Sequence, residues 1–145
     1  MPNVTNEHSD TETMLVVAGA LTDSASRVLV AQRPFAKEHG GLWEFPGGKV
    51  EPGETPESAL VRELKEELGV ILDPVDLEPF AFASEPRGRR HLILLLYRVA
   101  RWQGEPRAID AAAIRWMAPD ELAGLAMPPA DIPLASALAA DRRGE

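Results

Sequence analysis

Residues 48–70, GKVEPGETPESALVRELKEELGV, constrain this chain more than any other stretch, because they place Glu63, Glu66 and Glu67 in the back half of a single helix. That helix is well punctuated, with Thr55 at the N-cap, Pro56 at the first helical position and Gly69 just past the end. Leu60, Val61, Leu64 and Leu68 recur at three- and four-residue steps and form the core-facing stripe, which leaves the glutamates on a different arc. Carboxylates near a helix C-terminus oppose the macrodipole at roughly 0.3–1 kcal/mol each. The four-residue spacing of Glu63 and Glu67 adds like-charge repulsion of about 0.2–0.5 kcal/mol. A purely structural helix gains nothing from this arrangement, whereas a divalent cation would turn the repulsion into a site.

The rest of the composition narrows what that cation serves. With 145 residues, 45% of them hydrophobic, the chain has length for one domain with a real core. It has no cysteine, so disulfides and thiolate metal sites are excluded and any metal must be held by oxygen, which favours magnesium or manganese. A net charge of −8 argues against a sequence-independent grip on nucleic-acid polymers, but not against a small nucleotide carried with its metal. Residues 1–13 are polar and acidic, without the basic start and apolar run of a secretory signal, and are expected to be a disordered tail ahead of a single domain over residues 14–142. The final RRGE is expected to fray. The longest apolar runs, such as residues 92–96, fall far short of the roughly 20 residues a bilayer requires. These features predict a soluble, cytoplasmic protein with no membrane partner.

Along the chain, strand and helix patterns alternate. Residues 14–21, 27–32, 43–46, 77–83, 91–100 and 113–117 read as strands, 34–41 as a loop, and 119–125 and 132–140 as helices. At Gly47 and Gly48 the backbone must bend or approach something closely. The expected fold class is α+β, an α/β/α sandwich with a mixed sheet covered on both faces.

The spacing has the form G-x5-E-x7-R-E-U-x-E-E-x-G-U, with U aliphatic, at Gly48, Glu54, Arg62, Glu63, Leu64, Glu66, Glu67, Gly69 and Val70. This pattern resembles the Nudix box. LWEFPGGKVEPGE over residues 42–54 and MPPADIPL over 127–134 are similar to the MutT-type branch, and the resemblance covers about residues 14–140.

The resemblance implies a loop-helix-loop in which Glu63, Glu66 and Glu67 bind magnesium, with manganese as a substitute. Gly47 joins the ligands and Glu54 supports the cluster from the preceding loop. Arg62 is implied to orient the carboxylates; the plain alternative is a surface pair with Glu66. A further ligand from outside the box falls on Asp110, by alignment of residues 104–106 and Trp116, where the family usually has Glu; the alternative is an exposed loop aspartate. Lys49 is either a phosphate contact or solvated. Arg33 and Arg90 match nucleotide-contacting positions, or are surface charges. Asp131 either faces the base or caps the last helix, poorly, because Pro133 has no N–H to offer. Position 38 is Glu where the MutT pattern has His, and Arg87 stands where an aromatic would line the pocket. Phe35, Phe80 and Phe82 could supply stacking to the base, and each is expected rather in the core.

Oxygen-held hard cations suit phosphoryl chemistry, and no Walker-type loop is present, since GGKVE lacks the required spacing. The resemblance implies attack of water on the β-phosphorus of a nucleoside triphosphate. The expected activity is 8-oxo-dGTP diphosphatase, which cleans the nucleotide pool and limits mutation. CTP, dCTP or modified dCTP are the alternative substrates, and a non-catalytic nucleotide-sensing module is the alternative from another class.

Overall fold

The computed structural model describes residues 12–141. The expected frayed end over 142–145 and most of the expected N-terminal tail lie outside that range. Glu12 and Thr13, assigned to the tail from sequence, instead begin β1 (Glu12–Leu21), because they continue a parallel ladder beside Arg90 and His91. The following elements are β2 (Val28–Gln32), β3 (Trp43–Glu44), β4 (Gly47–Lys49), α1 (Pro56–Leu68), a 3-10 turn (Pro74–Asp76), β5 (Leu77–Arg87), β6 (Arg90–Val99), β7 (Ala113–Met117), a second 3-10 segment (Pro119–Gly124) and α2 (Asp131–Ala140).

The strands form two sheets. A four-stranded mixed sheet runs β4-β1-β6-β5, with β1 and β6 parallel and the other pairs antiparallel. A three-stranded antiparallel sheet runs β3-β2-β7. The alternation of β1 and β6 sorts the core. Val17, Leu21, Tyr97 and Val99 face α1, whose Ala59, Leu60, Leu64 and Leu68 are fully buried against them. Ala18, Ala20, Leu92, Leu94 and Leu96 face the other way and pack with Leu134, Ala135 and Leu138 of α2. Helices therefore cover both faces of the mixed sheet, as the sandwich reading requires. No helix among the described residues is long and apolar enough to cross a membrane.

Several local expectations change. Residues 43–46 do not form one strand: β3 and β4 are separate short strands that pair with different partners, β2 and β1. Residues 119–124 form a 3-10 segment rather than an α-helix. Phe35 and Phe82 are 73% and 67% exposed, so neither belongs to the core, whereas Phe80 packs against it. Phe82 sits on β5, an edge of the mixed sheet, and Phe35 in a loop, where sequence periodicity carries little information about cover.

Candidate active site

The punctuation of α1 is as the sequence predicts. Ser58 N donates to Thr55 Oγ1 and Thr55 N donates to Ser58 Oγ, each at 3.1 Å, and Gly69 closes the helix in the left-handed region at φ 75°. The open C-terminal carbonyls of α1 are met from far along the chain. Arg107 N donates to Leu68 O at 3.0 Å and Ile109 N to Glu67 O at 3.1 Å, while Ala112 N donates to Gln32 O at 2.9 Å. The segment carrying Asp110 is thus pinned between the end of α1 and the end of β2, and Asp110 arrives beside Glu67.

Gly47, Glu63, Glu67 and Asp110 line one cleft of about 200 Å³. Gly48 is what allows Glu63 in: a Cβ there would stand 2.3–2.5 Å from the Glu63 carboxyl atoms, so the carboxylate rests directly on the β4 backbone. Glu67 is buried deeper. Its Oε2 is enclosed and has no hydrogen-bond partner. Burial, followed by the charges of Glu63 and Glu44, pushes its carboxyl up to about 9. Among the described residues no three acidic or imidazole groups converge into a ready-made cage. The chemistry nevertheless fits a hard divalent cation, since an unpartnered carboxylate oxygen among other carboxylates is the kind of ligand such a cation takes.

Arg62 organises the loop side of this cleft. Its Nε and Nη2 donate to Glu54 Oε2 and Oε1 at 2.7 and 2.9 Å, its Nη1 to Glu63 Oε2 at 3.1 Å, and its Nη2 to Lys49 O at 3.1 Å. The simple pair with Glu66 is the weaker contact, at 3.6 Å. The fork from Arg62 holds the Glu54 carboxyl down to about 2. Glu54 and Glu66 do not line the cleft. Glu54 reaches it only through Arg62, and Glu66, its side chain 56% exposed, points along the solvent flank of α1.

A second cleft of about 310 Å³ lies on the α2 side of β1, lined by Arg33, His39, Glu44, Lys49, Arg90 and Asp131 among others. The two clefts share Arg33, Glu44 and Gly47 as a common wall. Asp131 is not a cap: the N-cap of α2 is Ala130, without any side-chain bond, and Asp131 Oδ2 accepts from Phe45 N at 3.1 Å. At 5% exposure, Asp131 is the buried charged residue of the described chain, and burial pushes its carboxyl up to about 7 against the lowering effect of the Phe45 N–H. Arg90 lines the same cleft and pairs with Glu12 at 3.2 Å, while Lys49 stands exposed at the rim. Arg33 is already engaged: Nε donates to Glu38 O at 2.8 Å and Nη1 to both Glu44 oxygens at 3.2 and 3.1 Å.

Sequence reasoning missed Glu44, Lys37 and His39. Glu44 had a signal, an acid held between Trp43 and Phe45 in an otherwise apolar stretch; burial pushes its carboxyl up and Arg33 opposes that shift. Lys37 and His39 sit in a loop where nothing local marks which wall each reaches.

The NUDIX domain model matches residues 12–138. The chain is 39% identical over 129 residues to the CTP pyrophosphohydrolase of Escherichia coli K12, covering 89% of this chain and 94% of that protein. It is 41% identical over 96 residues to the 8-oxo-dGTP diphosphatase of Proteus vulgaris, covering 66% and 84%. The solution structure of the E. coli ORF135 protein superposes with a TM-score of 0.81 at 36% identity, covering 94% of this chain and 98% of that one. With its box helix, its carboxylate cleft and these matches taken together, the chain belongs to the Nudix family of hydrolases.

Proposed function

We propose that this hydrolase is a magnesium-dependent nucleoside triphosphate pyrophosphohydrolase that converts 8-oxo-dGTP and water to 8-oxo-dGMP and diphosphate. The observation that carries the reading is the shared wall: one cleft lined by carboxylates and a neighbouring cleft lined by Asp131, Arg90 and Lys49 meet at Gly47 and Glu44. A nucleotide laid across that wall puts its base in one and its phosphates in the other.

Gly47, Glu63, Glu67 and Asp110 would hold the metal, magnesium or manganese as a substitute, and Glu66 would join them by turning in from the exposed flank of α1. When bound, the cation supplies charge neutralisation on phosphate oxygens and acidifies a water. The protein's own part is positional. Arg62, locked by Glu54, fixes Glu63 against β4, so the carboxylate does not have to reorganise when substrate arrives. Lys49 and Arg90 offer positive charge to the nucleotide, and Arg33 holds the wall between the clefts. Asp131 reads the base. In its ionised form, with Oδ2 on Phe45 N, its remaining acceptor capacity, and that of Glu44, suits the N7–H and N1–H donors of 8-oxoguanine, whereas dGTP presents an acceptor at N7. Removal of this nucleotide from the pool would limit mutation.

A second reading, cytidine nucleotides as substrate, is favoured by the length of the match to the CTP pyrophosphohydrolase. Measuring kcat/KM with magnesium on 8-oxo-dGTP, dGTP, CTP and 5-methyl-dCTP, with diphosphate and phosphate assayed separately, decides between them. A preference of about a hundredfold or more for 8-oxo-dGTP over dGTP is expected; preference for the cytidine nucleotides establishes the second reading, and no hydrolysis of any rejects both.

Asp131→Asn gives a second handle. The Asp131 carboxyl is raised in the folded state, so its contribution to stability is present at acid pH and is lost as pH rises from about 4 through about 7. Asparagine still accepts from Phe45 N and does not titrate. The difference in Tm between variant and parent is therefore expected to move in favour of the variant across that window, and the activity ratio between 8-oxo-dGTP and CTP to shift. An unchanged ratio would remove Asp131 from base recognition.

A further inference from the structure

The loop between β2 and β3 is built more rigidly than a connector requires. Its neck is closed by Arg33 N donating to Leu42 O at 2.9 Å and Gly41 N to Arg33 O at 3.0 Å. Inside the neck, Lys37 N donates to Pro34 O at 3.1 Å and Leu42 N to His39 O at 3.2 Å, while Arg33 Nε donates to Glu38 O and Gln32 Nε2 to Gly41 O. Packing is tight enough that a Cβ at Gly40 would stand 2.4 Å from Phe35 O. The loop's shape is therefore set before any ligand arrives.

Within this frame two side chains face different ways. His39 lines the larger cleft and holds a left-handed backbone, φ 59°, a conformation uncommon for a residue with a Cβ and less so for histidine than for most. Lys37, two residues earlier, lines the carboxylate cleft and makes no ion pair among the described residues. Arg33, the other cation on that cleft, spends Nε on Glu38 O and Nη1 on Glu44. Lys37 is thus the cation there with its charge still available, in a cleft that Glu44, Glu63, Glu67 and Asp110 also line. A lysine on such a wall suits an anion that enters with its own metal: a mobile point charge meets polyphosphate oxygens without needing fixed fork geometry.

We propose that the 34–41 loop is a preformed two-sided nucleotide clamp, His39 contacting the nucleoside in the larger cleft and Lys37 contacting the terminal phosphates in the carboxylate cleft. The clamp rests on the reading that one nucleotide spans both clefts. It adds a way to tell triphosphate from monophosphate, because only a ligand with terminal phosphates reaches Lys37.

The test is calorimetric binding of 8-oxo-dGMP, CMP and the α,β-methylene analogues of 8-oxo-dGTP and CTP, with magnesium, to the parent protein, Lys37→Ala, His39→Gly and His39→Asn. Lys37→Ala is expected to weaken the triphosphate analogue about tenfold and to change the monophosphate by less than about twofold. His39→Gly and His39→Asn, which both tolerate the left-handed backbone, are expected to weaken both ligands about fivefold, with Tm unchanged or raised. Equal affinities in parent and variants would overturn the clamp, as would a Lys37→Ala loss that is the same for both ligands. A parent that binds none of the four probes would instead overturn the nucleotide reading, and the clamp with it.

Discussion

Glu67→Gln is expected to lower kcat by about three orders of magnitude while leaving the fold at least as stable as before. The two halves of this prediction come from the same observation. Glu67 sits at the C-terminal end of α1 with one oxygen enclosed and unpartnered, its proton affinity raised by burial and by Glu63. Without metal, glutamine replaces a carboxyl that burial and the charge of Glu63 already favour in its neutral form, and it needs no proton taken up on folding. With magnesium, the same substitution removes an anionic oxygen from the place where the cation and the attacking water need it. Saturating magnesium is expected to raise the Tm of the parent through preferential binding to the folded state, and that gain should shrink in the variant. Steady-state turnover and thermal denaturation with and without magnesium check all of this. Near-normal turnover would take Glu67 out of the mechanism, and a large fall in Tm without metal would mean that the carboxylate holds the fold rather than the reaction.

The neighbouring glycines should separate structure from activity. A Cβ at Gly47 would stand 1.9 Å from Val17 O and 2.6 Å from Ala18 Cα, so the obstacle is backbone and β4 must part from β1. Gly47→Ala is expected to cost about 3 kcal/mol, a fall in Tm of roughly 10 °C, with activity lost along with the fold. The three atoms nearest a Cβ at Gly48 all belong to the far end of Glu63. Gly48→Ala can be accommodated by swinging that carboxylate off the strand, so stability should change little while kcat falls about a hundredfold, the usual consequence of misplacing a reacting group by an ångström. Circular dichroism melts beside kcat measurements test the contrast. Equal stability losses at the two positions would show that Glu63 is as immobile as backbone.

The helix of the Nudix box was legible because its information is local. Capping, the leucine stripe and the crowding of glutamates at the wrong end of a dipole all act within three or four residues, and Thr55, Leu64 and Glu67 stand where that reasoning puts them. Arg62 was legible as an organiser, but not its partner, since the eight-residue step back to Glu54 depends on how the preceding loop folds. The roles of Glu54 and Glu66 diverged for a related reason: spacing puts Glu66 on the face of Glu63 but says nothing of how far a side chain at the edge of that face turns toward solvent.

Contacts between distant segments lay beyond the sequence. Asp131 meets Phe45 across 86 residues, and this bond, rather than any cap, explains why an acid is buried at the start of α2. Asp110 joins the carboxylate cleft because the far segment caps α1, a hydrogen-bonding choice made only when both chain regions are in place. The division of strands into two sheets followed the same rule: alternating apolar residues define a strand but not its neighbour.

By itself the sequence determined the box helix with its ends and the crowding of carboxylates on it, which are properties of short-range periodicity and charge, and, through the resemblance its motif carries, the family and the α+β sandwich. Tertiary structure alone decided that Glu44 and Arg33 form the wall between two clefts, that Asp131 is buried against a strand end, and that one loop turns Lys37 to one side and His39 to the other. These depend on long-range closure and on which buried polar groups must be satisfied together, and neither is written in any short window of the chain.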